Sequence, residues 1–136
     1  ECQALMTRLD ADLVEVLLAC GTKKLHEVSI DWKPAASCCI VLASKGYPDK
    51  PEMGKVISGL EEAGECEGVT IFHAGTKRHP ETDEIITAGG RVLNVVGTGA
   101  SLEEARARAC AACQKIRYEG RYYRSDIGAM PAIKSR

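Results

Sequence analysis

Leu5, Met6, Leu9, Leu13, Val16 and Leu17 recur at three- and four-residue steps within residues 2–19, the spacing that lines side chains along one helical face. Asp10 or Asp12 offers a capping carboxylate at a break in that run, and Gly21 is placed to stop it. Residues 23–30 predict a further helical turn, and Trp32 and Pro34 close the region. These helices have no partner layer of their own, so they are expected to end a preceding domain and pack against the segment downstream. Cys38-Cys39-Ile40-Val41-Leu42-Ala43 is an unbroken apolar run between Pro34 and Gly46, as in a strand buried on both faces. Pro48, Pro51 and Gly54 then break the chain before a short extended piece at Val56-Ile57, and residues 61–68 read as an acidic, glycine-containing connector.

Val69-Thr70-Ile71-Phe72-His73 alternates well enough for a second strand. Residues 84–96 predict a hairpin, two β-rich arms around Ala88-Gly89-Gly90. Ser101-Leu102-Glu103-Glu104 is a capping box that opens a helix running to about residue 116, with Leu102, Ala105, Ala109, Ala112, Cys113 and Ile116 as its apolar stripe. Small residues in that stripe allow a close approach to a sheet. After Gly120, Tyr122-Tyr123 predicts a last short strand. The sum is α+β: a small antiparallel or mixed sheet with one covering helix, preceded by helices.

Composition narrows the function classes. At 136 residues and 45% hydrophobic content, one compact core is the default. Eighteen basic and 19 acidic residues leave a formal charge of -1, which supplies no field for nucleic acid or an anionic membrane. No apolar run approaches the roughly 18 residues of a membrane span. Seven cysteines, an odd number in a chain with an apolar core and no secretory signal, fit reduced thiols in a cytoplasm better than a disulfide scaffold. Glu1 rather than Met stands first and runs straight into a helical pattern, so the gene product is expected to start upstream.

Four strings join strand residues to a glycine turn and a polar side chain. His73-Ala74-Gly75-Thr76 sets an imidazole beside amides and a hydroxyl able to receive a carboxylate or phosphate; the local alternative is a histidine satisfying its own turn. Lys45-Gly46-Tyr47-Pro48 puts a cation and a phenol at the end of a strand, as a loop over a pocket or as a plain turn with a solvated lysine. In Gly89-Gly90-Arg91-Val92-Leu93 and Tyr123-Arg124-Ser125-Asp126-Ile127-Gly128, either arginine can grip a phosphate through two bonds, though pairing with an acidic neighbour is the default for both. Cys110 and Cys113 have CxxC spacing inside a helix, where burial is expected and neither metal nor redox chemistry is. Gly97-Thr98-Gly99-Ala100-Ser101 leads to a helix N-terminus without a Walker lysine and reads as a strand-to-helix connection.

In this order, the four strings resemble the C-terminal domain of the phosphoribosylamine-glycine ligase family. Glu1-Cys2-Gln3 with Arg8-Leu9-Asp10-Ala11-Asp12-Leu13 is similar to the end of that family's ATP-grasp region, and the stretch 54–60 matches its Gly-x-x-Ile-x-Gly-Leu pattern. Pro51 and the ending Ala129-Met130-Pro131-Ala132-Ile133 depart from the family's usual residues. The resemblance implies residues 1–34 as the helical end of an ATP-grasp domain and 35–136 as a hybrid-motif domain, a rudimentary half-barrel that closes one wall of an active site. It implies substrate-binding roles for Gly46, Tyr47, His73, Gly75, Thr76, Arg91, Arg124 and Asp126, with no catalytic or metal-binding residue in this portion.

The implied activity is ATP-dependent joining of glycine to 5-phosphoribosylamine in de novo purine synthesis, with glycine activated as an acyl phosphate. ATP and magnesium would be bound mainly upstream of Glu1, so the ATP-grasp portion is the expected partner and this portion alone is expected to be inactive. Two other readings remain open. Another ATP-grasp ligase or a biotin-dependent carboxylase would carry a similar domain, but without both His-Ala-Gly-Thr and Arg-x-Asp-Ile-Gly. A biotinyl or lipoyl carrier would present a lysine at the hairpin tip, where this chain has Ala88-Gly89-Gly90.

Overall fold

The computed structural model describes residues 1–129. The first periodic run divides into α1 (Cys2–Met6) and α2 (Leu13–Gly21), and of the two candidate caps Asp12 is the one used: its carboxylate accepts the Val14 and Glu15 amides at 2.8 and 3.3 Å. Gly21 is the last helical residue rather than the stop. Thr22 caps the end, its hydroxyl donating to Leu18 O at 2.9 Å, and Lys23 takes the left-handed turn at φ 59°. A single 3-10 turn comes next, at Leu25–Glu27.

The body of the fold is a three-stranded antiparallel sheet. Strand β1 (Ala36–Ala43) is followed by the short helix α3 (Leu60–Gly64), β2 (Val69–His73), β3 (Thr76–Arg78), β4 (Ile85–Thr87), β5 (Arg91–Gly99) and α4 (Leu102–Lys115). The order in the sheet is β1-β5-β2, with β5 central, while β3 and β4 pair with each other in a separate two-stranded sheet. Helix α3 occupies part of the stretch that its acidic residues and glycines suggest is a connector. Glu61 and Glu62 fall in its first turn, where carboxylates suit the helix N-terminus, and Ala63 plugs it into the core.

The hairpin expected at 84–96 does not form. Its two arms lie in different sheets, because the Gly89-Gly90 corner crosses between sheets rather than folding back. Ala88 N donates to Gly75 O at 2.7 Å, and a Cβ on Gly75 would lie 2.8 Å from Gly89 Cα, so two glycines pack face to face where the chain crosses over. Tyr122 forms only one antiparallel bridge, to Ala43, in place of a last strand.

Helix α4 covers one face of the main sheet. Ser101 accepts the Glu104 amide at 3.2 Å, and the Glu104 carboxylate reaches back to the Ala100 amide at 2.7 Å. Ala105, Ala109, Ala112 and Cys113 are fully buried against Ile40, Leu42, Leu93 and Val95. The approach is so close that a Cβ on Gly97 would stand 2.1 Å from Ala105 O, and the alanine stripe makes that approach feasible.

The opposite face differs from the two-sided burial expected of β1. Leu42 is wholly buried, whereas Val41, its neighbour pointing the other way, is 37% exposed. Helix α1 lies over part of this face, where Ser37 Oγ donates to Ala4 O at 2.9 Å. Helix α2 keeps Val14, Leu17 and Leu18 exposed.

Candidate functional site

Three of the four strings meet at one end of the sheet through backbone hydrogen bonds. As β1 ends, Ser44 N donates to Gly90 O at 2.8 Å and Ser44 Oγ to Gly89 O at 2.9 Å, tying the loop after β1 to the Gly89-Gly90 corner. Gly46 has φ +83°, and a Cβ there would lie 2.1 Å from Lys50 O; the loop turns that tightly only with glycine. The turn sets Tyr47 on Gly90, where a Cβ would fall 2.3 Å from the tyrosine Cδ2. Across the corner, Ala74 N donates to Val92 O at 3.0 Å and Gly75 N to Arg91 O at 2.8 Å.

Arg91 is aimed by a β-bulge. The β1–β5 register runs Leu42 opposite Leu93 and then Ala43 opposite Arg91, so Val92 is an extra residue. Without it, strict alternation would put Arg91 and Asn94 on opposite faces. With it, both line a cleft of 610 Å³ on the open side of the sheet, together with Tyr47, Gly75, Glu1 and Gln3. Behind Tyr47 and Arg91 a second, largely apolar cavity of 300 Å³ is bounded by Cys39, Val41, Tyr123 and Arg124.

The fourth string joins through Ala43 and Tyr122, which exchange backbone bonds of 2.8 and 3.0 Å. Arg124 then grips Asp126 with Nε to Oδ1 at 2.9 Å and Nη2 to Oδ2 at 2.5 Å. This hydrogen bonding holds the Asp126 carboxyl below its ordinary range and raises the guanidinium. Helix α4 anchors the segment, Arg106 Nε donating to Ile127 O at 2.9 Å.

The structure therefore gathers Tyr47, Gly75 and Arg91 at one cleft and sets Arg124 beside the adjoining cavity. The ion pair expected by default holds for Arg124, but Arg91 forms none among the described residues: its bulged position turns it to the cleft, whose lining includes Glu1 without an ion pair between the two. His73 and Thr76 satisfy each other, Nδ1 to Oγ1 at 2.9 Å, and stand outside both spaces, as does Gly46. Lys45 is paired with Glu52 at 3.1 Å. Cys113 is buried and its thiol is pushed up to about 12 by desolvation, the opposite of an activated thiolate. Asn94 is the residue that motif reading overlooks; a lone amide inside Val92-Leu93-Asn94-Val95-Val96 is its signal. Of the ending 129–133, residues from Met130 onward lie outside the described residues.

Residues 37–130 match the family described as phosphoribosylglycinamide synthetase, C domain. The chain belongs to that family. The family's fold is shared as well: over 83% of this chain and 27% of that one, the structure superposes on the crystal structure of phosphoribosylamine–glycine ligase from Thermotoga maritima with a TM-score of 0.62 and 34% identity. The chloroplastic phosphoribosylamine–glycine ligase of Arabidopsis thaliana is 47% identical over 94% of this chain and 24% of its own length. The Caulobacter vibrioides enzyme of the same name is 46% identical over 94% of this chain and 30% of its own. The chain thus spans between about a quarter and a third of the length of the curated relatives it matches. Among its described residues no helix is long and apolar enough to cross a membrane, and no group of three or more His, Cys, Asp or Glu is gathered to hold a metal ion.

Proposed function

We propose that this chain is the C-terminal part of an ATP-dependent ligase that joins glycine to 5-phosphoribosylamine, giving glycinamide ribonucleotide in purine synthesis. The observation that carries the reading is the family match over 37–130, joined to relatives of one name that align with 94% of the chain. Residues 1–34 then end the ATP-grasp region and 35–136 form the C-terminal domain. Tyr47, Gly75 and Arg91 are the substrate-facing residues of one wall, with Arg124 held beside them by Asp126. Gly46 shapes the Tyr47 loop, and the His73–Thr76 bond fixes the turn that presents Gly75.

The chemistry assigned to this wall is positioning and charge stabilisation. An unpaired guanidinium and a tyrosine at a cleft can hold an anionic substrate while its amine attacks glycine activated as an acyl phosphate. ATP and magnesium are assigned in this reading to the ATP-grasp portion, which is this chain's partner. The seven free thiols suit a cytoplasmic setting.

Glycine-dependent ADP formation, measured with ATP, magnesium and phosphoribosylamine, tests the reading. The full-length protein is expected to be active and residues 1–136 alone inactive. Turnover by the isolated chain would refute the assigned division of labour, and an inert full-length protein would refute the ligase reading.

A further inference from the structure

The segment that carries Arg124 has little regular structure to hold it. One antiparallel bridge, Ala43 to Tyr122, ties it to the sheet, and beyond Tyr122 no strand or helix follows among the described residues. The Arg124–Asp126 pair lies within a single turn, its side chains 63% and 62% exposed. So exposed an ion pair adds little rigidity, and a bond between near neighbours fixes the two side chains to each other rather than to the fold. The place of the guanidinium beside the cavity has to be set by another contact.

Helix α4 supplies that contact through Arg106. Its Nε donates to Ile127 O at 2.9 Å and its Nη2 to Ser125 O at 2.5 Å, so one planar fork spans the carbonyls on either side of Asp126. Two bonds from a rigid group fix the orientation of a turn, where one bond would only tether it. Gly128 completes the fit: at φ +69° it lies on the arginine stem, and a Cβ there would stand 3.5 Å from Arg106 Cδ and 2.9 Å from Cys38 Sγ. Although Glu103 stands one turn before it, Arg106 makes no ion pair among the described residues and gives its guanidinium to backbone. Arg108, two residues on, is the contrast. It bonds Glu67, Glu104 and Thr98 O, none of which belongs to the segment after Gly120.

We propose that Arg106 is a positioning residue for Arg124: by holding the Ser125 and Ile127 carbonyls against α4, it fixes where the Arg124–Asp126 clamp meets the 300 Å³ cavity. Arg106 itself touches no substrate. Its effect passes through the two carbonyls to Asp126 and from Asp126 to Arg124, and it rests on the reading above that Arg124 faces substrate.

The test compares full-length protein carrying Arg106→Met, Arg106→Lys, Arg108→Met or Arg124→Leu with the parent, by amide hydrogen exchange and by turnover with ATP, glycine and phosphoribosylamine. Arg106→Met is expected to speed exchange in residues 122–129 about tenfold and to raise about fivefold the KM of whichever substrate Arg124→Leu affects, with kcat within about twofold. Arg106→Lys keeps the charge but lacks the planar fork, and should fall between Arg106→Met and the parent. Arg108→Met should lower the unfolding midpoint and leave that KM alone, which separates positioning from a general loss of stability. The positioning role is overturned if Arg106→Met keeps the parent's exchange or the parent's KM, or if Arg108→Met raises the KM equally. An Arg124→Leu variant with every KM at the parent value overturns the substrate-facing reading of Arg124; a defective Arg124→Leu beside a normal Arg106→Met overturns the positioning role alone.

Discussion

The two faces of the β1-β5-β2 sheet are built from the same strands and serve opposite ends. On one, Ile40, Leu42, Leu93 and Val95 are sealed under the alanine stripe of α4. On the other, Cys39, Val41 and Asn94 look onto open space, and a bulge at Val92 adds Arg91 to them. Period-two alternation makes this division possible: each strand commits every second residue to stability and leaves the rest for chemistry. The closed face holds the strands rigid, and rigid strands are what can carry an arginine and an amide at a fixed spacing.

If the division is sound, damage on the closed face should register first as lost stability. Leu93→Ala leaves a cavity beneath α4 and is expected to cost about 3 kcal/mol in denaturant unfolding, within the usual range for a buried leucine. Gly97→Ala drives a methyl into Ala105 O, and repositioning α4 should cost about 2 kcal/mol. An unfolding midpoint unmoved by either change would mean that the helix does not seat as closely as described. On the open face, Gly90→Ala meets only the movable Tyr47 ring and should cost less than about 1 kcal/mol. If the cleft takes substrate as proposed, its effect should appear instead as weaker substrate binding there.

Adjacent cysteines give a finer contrast. Cys38 faces the core and Cys39 the apolar cavity, and burial raises both thiols. Mass-spectrometric footprinting with a small alkylating reagent should label exposed Cys2 and Cys20 first, Cys39 later, and Cys38 and Cys113 last. Labelling of Cys38 ahead of Cys39 would reverse the assignment of faces. The smallest effect concerns Asp126. Its bond to Arg124 lowers the folded-state value, so that bond's contribution is complete above the ordinary 3.8 and fades only as pH falls through the lower folded value. An NMR titration of Asp126 should show a midpoint below 3.8 that returns toward it in Arg124→Ala.

Elements whose residues signal locally were legible in advance. The Ser101 capping box with its alanine stripe and the alternating Val69–His73 strand appear where their periodicity puts them. The helical break at Asp12 was legible too, because a cap is a contact between near neighbours. What failed were readings that depend on distant partners. Two β-rich arms around a double glycine look like a hairpin whichever sheets they join, and here Gly75 decides that they separate. The apolar run of β1 cannot say how much of its outer face another layer will cover. Within the site, Tyr47 and Arg91 were legible as polar residues beside glycine turns. His73 was legible in the same way, and what the sequence does not show is that its Nδ1 bonds Thr76 Oγ1 within its own turn.

The sequence by itself determined the periodic helices and the strands β1 and β2, the apolar face of α4, and the family to which the chain belongs, since each is written in the identity and spacing of residues close along the chain. Only the tertiary structure decided which polar residues share a cleft. Arg91 and Asn94 are brought to one face by a single unpaired residue in a ladder with β1, and Tyr47 reaches them because Gly90, remote in the chain, has no side chain to exclude its ring. Both are properties of strand pairing and steric fit between segments far apart along the chain.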